Sequence, residues 1–142
     1  NGIIYPNLNN GVYRAGFATS QTAYDDAVAD VCRVLDQLDE HLGHHRYLCG
    51  DRITEADWRL FTTLLRFDPV YHQHFKCNRR ELRSYPNLWP YTRELYQVPG
   101  VADTVRLDHI RQHYHLSHES INPHRILPIG PDGDFDEPHG RC

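Results

Sequence analysis

The sequence predicts an all-α protein, a helical bundle followed by an irregular C-terminal tail, and three observations lead there. Apolar residues recur at spacings of three and four along residues 20–42. Thr54 and Asp57 form a helix-start pattern ahead of a second apolar run. No stretch shows the alternation of a half-buried strand. The 142 residues suffice for one apolar core, and 39% hydrophobic with 24% charged residues suits neither a disordered nor a fibrous chain.

Residues 1–18, NGIIYPNLNNGVYRAGFA, mix Asn, Gly and Pro with scattered aromatics and read as an irregular lead-in to a helical domain over 19–142. In the first helix, 20–42, Tyr24, Val28, Val31, Leu35, Leu38 and Leu42 form one stripe with Gly43 as its stop. Next, Thr54 and Asp57 make a capping box, each side chain satisfying a backbone N–H that the helix start leaves open. That role accounts for Asp57 without catalysis, and Ile53 and Trp58 stand where a hydrophobic staple would form. Leu60, Phe61, Leu64 and Leu65 then present a broad face to the core, and Pro69 marks a kink or an end. A third helix is predicted over 87–97, between Pro86 and Pro99-Gly100, and a fourth over 101–116. Beyond Ser117, four prolines and three glycines preclude a long helix, so a surface tail is expected.

A net charge of −4 and a pI near 6.2 give no electrostatic footprint for nucleic acid, and Arg79, Arg80 and Arg83 read as a solvated face. No run approaches the roughly 18 apolar residues of a membrane span, so no membrane contact is expected and the cytosol is the expected compartment. The cysteines at 32, 49, 77 and 142 show no C-x-x-C pairing and are expected as reduced thiols. Lys76 and Arg79 could lower the pKa of Cys77, although a structural thiol is the favoured reading. The chain has no methionine and begins at Asn1, from which it is expected to be part of a longer polypeptide. Eleven histidines would reverse the sign of the net charge if all were protonated.

Five of those histidines crowd into DHIRQHYHLSHESINPH, residues 108–124. His109 and His113 share a helical face, but a metal site needs a third ligand, and Asp108 points about 100° away. No metal is expected; the histidines are expected to hydrogen-bond the tail or border a pocket.

YLCGDRITEADWRLFTTLLRF resembles the signature of the helical C-terminal domain of glutathione transferases. Five further blocks, GVYRAGFATSQ, RFDPVYHQHFKCN, YPNLWPYTRELYQVPG, HIRQHYHLSH and INPHRILPIGP, resemble the xi class, the S-glutathionyl-(chloro)hydroquinone reductases, over nearly the whole chain. The resemblance implies a two-domain, homodimeric enzyme. Its N-terminal thioredoxin-like domain, absent here, binds glutathione as co-substrate and carries the nucleophilic cysteine in a Cys-Pro motif. None of the four cysteines matches that motif, so this segment alone is expected to be inactive.

The reaction so implied removes glutathione from a glutathionyl-hydroquinone, and the helical domain supplies the pocket for the quinone-type aromatic. Tyr13 and Tyr114 match the pocket tyrosines of the family; Arg14, Phe17 and His113 flank them and are candidates for the lining. Tyr5, Tyr24, Tyr47, Tyr91 and Tyr96 read as amphipathic core residues with their hydroxyls at the surface. Two other functions stand beside this one: a non-catalytic transferase-like interaction module, as in elongation factor 1 gamma, and a stand-alone metal-binding helical protein.

Overall fold

Residues 4–128, 130, 131 and 134–141 are described by a computed structural model. The side chain of Tyr5, expected in the core, and the whole of Cys142, expected as a reduced thiol, lie outside the described residues. Five α-helices carry the fold: α1 (Gly11–Gly16), α2 (Gln21–His44), α3 (Glu55–Arg66), α4 (Leu88–Tyr96) and α5 (Leu107–Ser117). Among the described residues there is no strand.

The lead-in departs from its expected irregularity. A π-type turn over Tyr5–Asn9 runs into α1. Leu8, Val12 and Ala15, spaced four and three apart, are buried, and α1 lies along α2. Burial of that stripe outweighs the poor helix propensity of the Asn and Gly residues around it.

In α2 the Ser20 hydroxyl caps the start by accepting the Ala23 N–H at 3.1 Å. Ala27, Val31, Val34, Leu35, Leu38 and Leu42 are its buried residues. The helix runs through Gly43 to His44 instead of stopping there. A Cβ on Gly43 would sit 3.0 Å from the Asn87 side-chain nitrogen, so this glycine serves a close approach rather than a terminus.

The capping box of α3 forms, with the Thr54 N–H donating to Asp57 Oδ2 at 2.8 Å. Capping does not account for Asp57 in full, however. Its carboxylate is wholly buried, and Oδ1 accepts the Leu48 N–H at 3.0 Å and the Tyr91 hydroxyl at 2.6 Å. One side chain therefore ties the helix start to the preceding turn and to α4.

At the far end Pro69, which lacks an N–H, cannot continue α-helical bonding, and Phe67–Tyr71 form a wide π-type turn whose five residues are all buried. Within it Asp68 accepts the Leu82 N–H at 2.6 Å and the Arg83 N–H at 3.2 Å, holding the 3₁₀ turn Leu82–Ser84. The start of α4 is held from outside: Asp39 on α2 accepts the N–H groups of Asn87 and Leu88 at 2.9 and 2.8 Å.

The helix predicted over 101–116 is two elements, a 3₁₀ turn at Ala102–Thr104 and then α5. Thr104 bonds back to the Val101 carbonyl at 2.7 Å, the local competition with helix that threonine offers. The tail is irregular but anchored. Phe135 is buried against Trp89 and Tyr96, each ring 5.2 Å away, and Arg141 reaches the buried Glu94 at 3.0 Å. Glu94 also binds Arg46 and Tyr47.

Two of the tyrosines expected to place their hydroxyls at the surface, Tyr47 and Tyr91, anchor them inside the fold, whereas the hydroxyl bond of Tyr24 is exposed and Tyr96 is half-buried. Tyr91 bonds Asp57, Tyr47 bonds Glu94 and Tyr24 donates to the Lys76 carbonyl. Buried hydroxyls need such partners.

Candidate functional site

Three phenols from three elements converge on one cavity. Tyr13 comes from α1, Tyr71 from the end of the Phe67–Tyr71 turn and Tyr114 from α5. The Tyr114 hydroxyl lies 2.5 Å from that of Tyr13 and 3.1 Å from that of Tyr71. They line a cavity of about 400 Å³ together with Asn9, Asn10, Thr62, Thr63 and Arg66. Arg66 is the single cation among those residues.

Phe75 packs against all three phenols, stacked on Tyr71 at 5.5 Å and tilted against Tyr13 at 5.2 Å. Gly16 permits this. A Cβ there would lie 2.2 Å from a ring carbon of Phe75, so only glycine lets the end of α1 press against the ring and hold Tyr13 over the cavity.

Burial, reinforced by the Tyr114 hydrogen bond, pushes the Tyr13 phenol up to about 12, against the opposing pull of Tyr71 and of the Arg66 charge. Burial raises Tyr71 further above the ordinary phenol range, again reinforced by Tyr114. Tyr13 and Tyr71 are therefore neutral O–H donors at physiological pH. The Tyr114 hydroxyl bonds both of the other phenols, and Tyr13 and Tyr71 act on each other as well, so the three hydroxyls form one linked group. Tyr13 is the least buried of the three. The arrangement suits a flat aromatic with oxygen substituents, offering ring faces, hydroxyl donors and one positive charge.

Of the five residues the sequence placed at a pocket, Tyr13 and Tyr114 come together on the cavity and three do not line it. Arg14 turns away to the Pro6 carbonyl at 2.8 Å and Asp30 at 3.5 Å. Helical geometry explains this, because the neighbour of a cavity-facing residue points about 100° around the axis. Phe17, 44% exposed, packs on the outer side of Phe75 and against His118. His113 sets its ring edge-on to Tyr114 at 5.1 Å from the solvent side.

Arg66, Tyr71 and Asn9 are among the cavity residues the sequence reading missed, with Asn10, Thr62 and Thr63. The first two lie in RFDPVYHQHFKCN, where Pro69 signalled a break; the wide turn it enforces aims Tyr71 inward. His109 is exposed beside Asp108, and among the described residues no group of three or more side chains is gathered to hold a metal. Burial pushes the Cys77 thiol up to about 12, so the neighbouring Lys76 and Arg79 do not activate it. Burial raises Cys32 as well.

Residues 21–94 match the family described as glutathione S-transferase, C-terminal domain. The chain is 60% identical to glutathionyl-hydroquinone reductase YqjG of Escherichia coli, over 99% of this chain and 43% of that protein. It is 52% identical to glutathionyl-hydroquinone reductase PcpF of Sphingobium chlorophenolicum, over 92% of this chain and 42% of that protein. The solved structure of a xi-class transferase from Natrialba magadii superimposes with a TM-score of 0.95 at 57% identity, covering 96% of this chain and 43% of that one. The chain thus spans less than half the length of these relatives. It belongs to the family of glutathione S-transferase C-terminal domains, and its relatives there are glutathionyl-hydroquinone reductases and xi-class transferases.

Proposed function

We propose that this chain is the substrate-binding helical half of a glutathione-dependent reductase that removes glutathione from glutathionyl-hydroquinones. The observation that carries the reading is the meeting of the Tyr13 and Tyr114 hydroxyls, 2.5 Å apart, on the wall of a cavity sized for an aromatic ring. Support comes from the relatives named above, whose names state that activity.

In this reading the nucleophile lies in an N-terminal thioredoxin-like domain. Its cysteine thiolate attacks the glutathione sulfur, an S–S bond forms, and the electrons of the carbon–sulfur bond pass to the ring carbon, which takes up a proton. A second glutathione releases the first as glutathione disulfide. The chain's own residues grip the ring oxygens through Tyr13 and Tyr114, and Arg66 offsets negative charge on the departing hydroquinone.

An apolar groove of about 530 Å³, containing Trp58, Phe61, Leu65, Val105 and Ile110, adjoins the tyrosine cavity and shares Thr62 and Arg66 with it. It is the proposed seat of the thioredoxin-like domain, and its position would bring the thiolate beside the phenols. The exposed Ile126 and Leu127 are the proposed contribution of the tail to a homodimer. No described helix is long and apolar enough to cross a membrane.

The test is to assay the chain alone and joined to its Cys-Pro domain against glutathionyl-hydroquinone with excess glutathione. Turnover only in the joined protein is expected. No turnover in either form would leave the chain as an interaction module and end the enzymatic reading.

A further inference from the structure

The histidine-rich stretch that the cavity leaves unused folds into a cluster of its own. His115 and His118, at the end of α5, meet His74 from the segment after the Phe67–Tyr71 turn. The rings of His74 and His115 lie 4.5 Å apart, edge to face, and His74 Nε2 is 3.1 Å from His118 Nδ1. His118 also stacks on Phe75 at 5.8 Å. His74 and His115 are only 5% and 3% exposed.

The cluster cannot keep its contacts once all its imidazoles are charged. A nitrogen–nitrogen hydrogen bond needs one N–H and one bare lone pair, so it fails when both nitrogens carry protons. The Pro69 carbonyl accepts a bond from the His115 ring, whose Nε2 is buried with no partner among the described residues. Nδ1 is then the donor and Nε2 the bare nitrogen, and a proton placed on it would be sealed away from any acceptor.

The charges acting on the cluster share one sign. His115, His118 and Lys76 act on His74, Arg111 and His118 on His115, and His113, when protonated, on His118. Burial and these neighbours lower the proton affinity of all three, His74 to about 4.

The cluster also holds the chain that follows it. The His118 carbonyl accepts the N–H groups of Ile121 and Asn122 at 3.0 and 2.8 Å. The Asn122 side chain in turn bonds the carbonyls of His115 and Ile126 at 2.8 and 2.9 Å. Tyr114, next to His115 in the chain, has its ring 5.6 Å from that of His118.

The geometry points to an acid-opened latch: His74, His115 and His118, while neutral, clamp the end of α5 and residues 118–126, and protonation releases both and with them the placement of Tyr114. The opening does not depend on what the cavity binds; only its effect on turnover rests on the reductase reading.

A histidine that binds protons less well in the closed state than in the open one adds stability that is complete above its ordinary value of 6.5. That stability is lost as pH falls from 6.5 toward the closed-state value. For His74 alone this favours opening by roughly 30-fold at pH 5.0.

Amide hydrogen exchange of the full chain at pH 7.5 and 5.0, corrected for intrinsic rates, reads the latch directly. The amides of residues 115–122 should lose protection at least about ten-fold more than the buried amides of α2, and His74→Gln should shrink that difference. If His74→Gln does not fold, His118→Gln takes its place. Equal changes in the two segments, or an undiminished difference in a folded variant, would overturn the latch whether or not the protein is a reductase.

Discussion

The hydroxyls of Tyr13 and Tyr114 meet at 2.5 Å although 101 positions separate the residues in the chain. Two packing relations bring them there. Gly16 lets α1 press against Phe75, and α5 packs on the Phe67–Tyr71 turn, so that Tyr71 bonds Tyr114 from the other side. The cavity depends on both.

Gly16→Ala tests the first relation. The added methyl would collide with a fully buried phenylalanine ring that has little room to retreat. A loss of about 1–3 kcal/mol in urea unfolding is expected, with weakened binding of aromatic diols as Phe75 shifts against the phenols. Stability and binding equal to the unsubstituted chain would show that the close approach is not required.

Asp57 and Thr54 belong to one capping box but carry unequal burdens. Thr54→Ala should cost about 1 kcal/mol, the value of a helix cap. Asp57→Ala also strips partners from the Leu48 N–H and the buried Tyr91 hydroxyl, so about 3–5 kcal/mol is expected. Chemical denaturation of both variants checks the ordering, and equal losses would reduce Asp57 to a cap.

Arg66 is the single positive charge on the cavity wall. Replacing it with glutamine in the complete enzyme should lower kcat by about ten-fold with a smaller change in KM, as expected for a charge that acts on the developing hydroquinone anion. A rise in KM alone would make it a binding residue instead.

What the sequence disclosed follows from how local each signal is. The α2 stripe, the Thr54 box and the break at Pro69 are written within a few residues of where they act. The box and the break stand in the fold, and the stripe stands from Val31 to Leu42, with Ala27 and Val34 buried beside it and Tyr24 and Val28 half-exposed. Leu8, Val12 and Ala15 carried an equally local stripe, masked by the Asn and Gly residues between them. Tyr71 could not be singled out among nine tyrosines, because its inward aim comes from the wide turn that Pro69 imposes. The histidine cluster was hidden for a similar reason: two members sit in the conspicuous 108–124 stretch, but the third, His74, arrives from 44 positions away. Resemblance, rather than spacing, singled out Tyr13 and Tyr114. It could not show that Arg14 and Phe17, their neighbours along α1, face elsewhere.

Turnover of a glutathionyl-hydroquinone by the complete two-domain protein, carrying Tyr13→Phe or Tyr114→Phe, tests the central claim most directly. Each substitution should lower kcat by at least about ten-fold, and the double variant should lose less than the product of the two, because the hydroxyls act as one bonded pair. Undiminished turnover in both single variants, with the fold intact, would contradict the claim that these phenols grip the substrate.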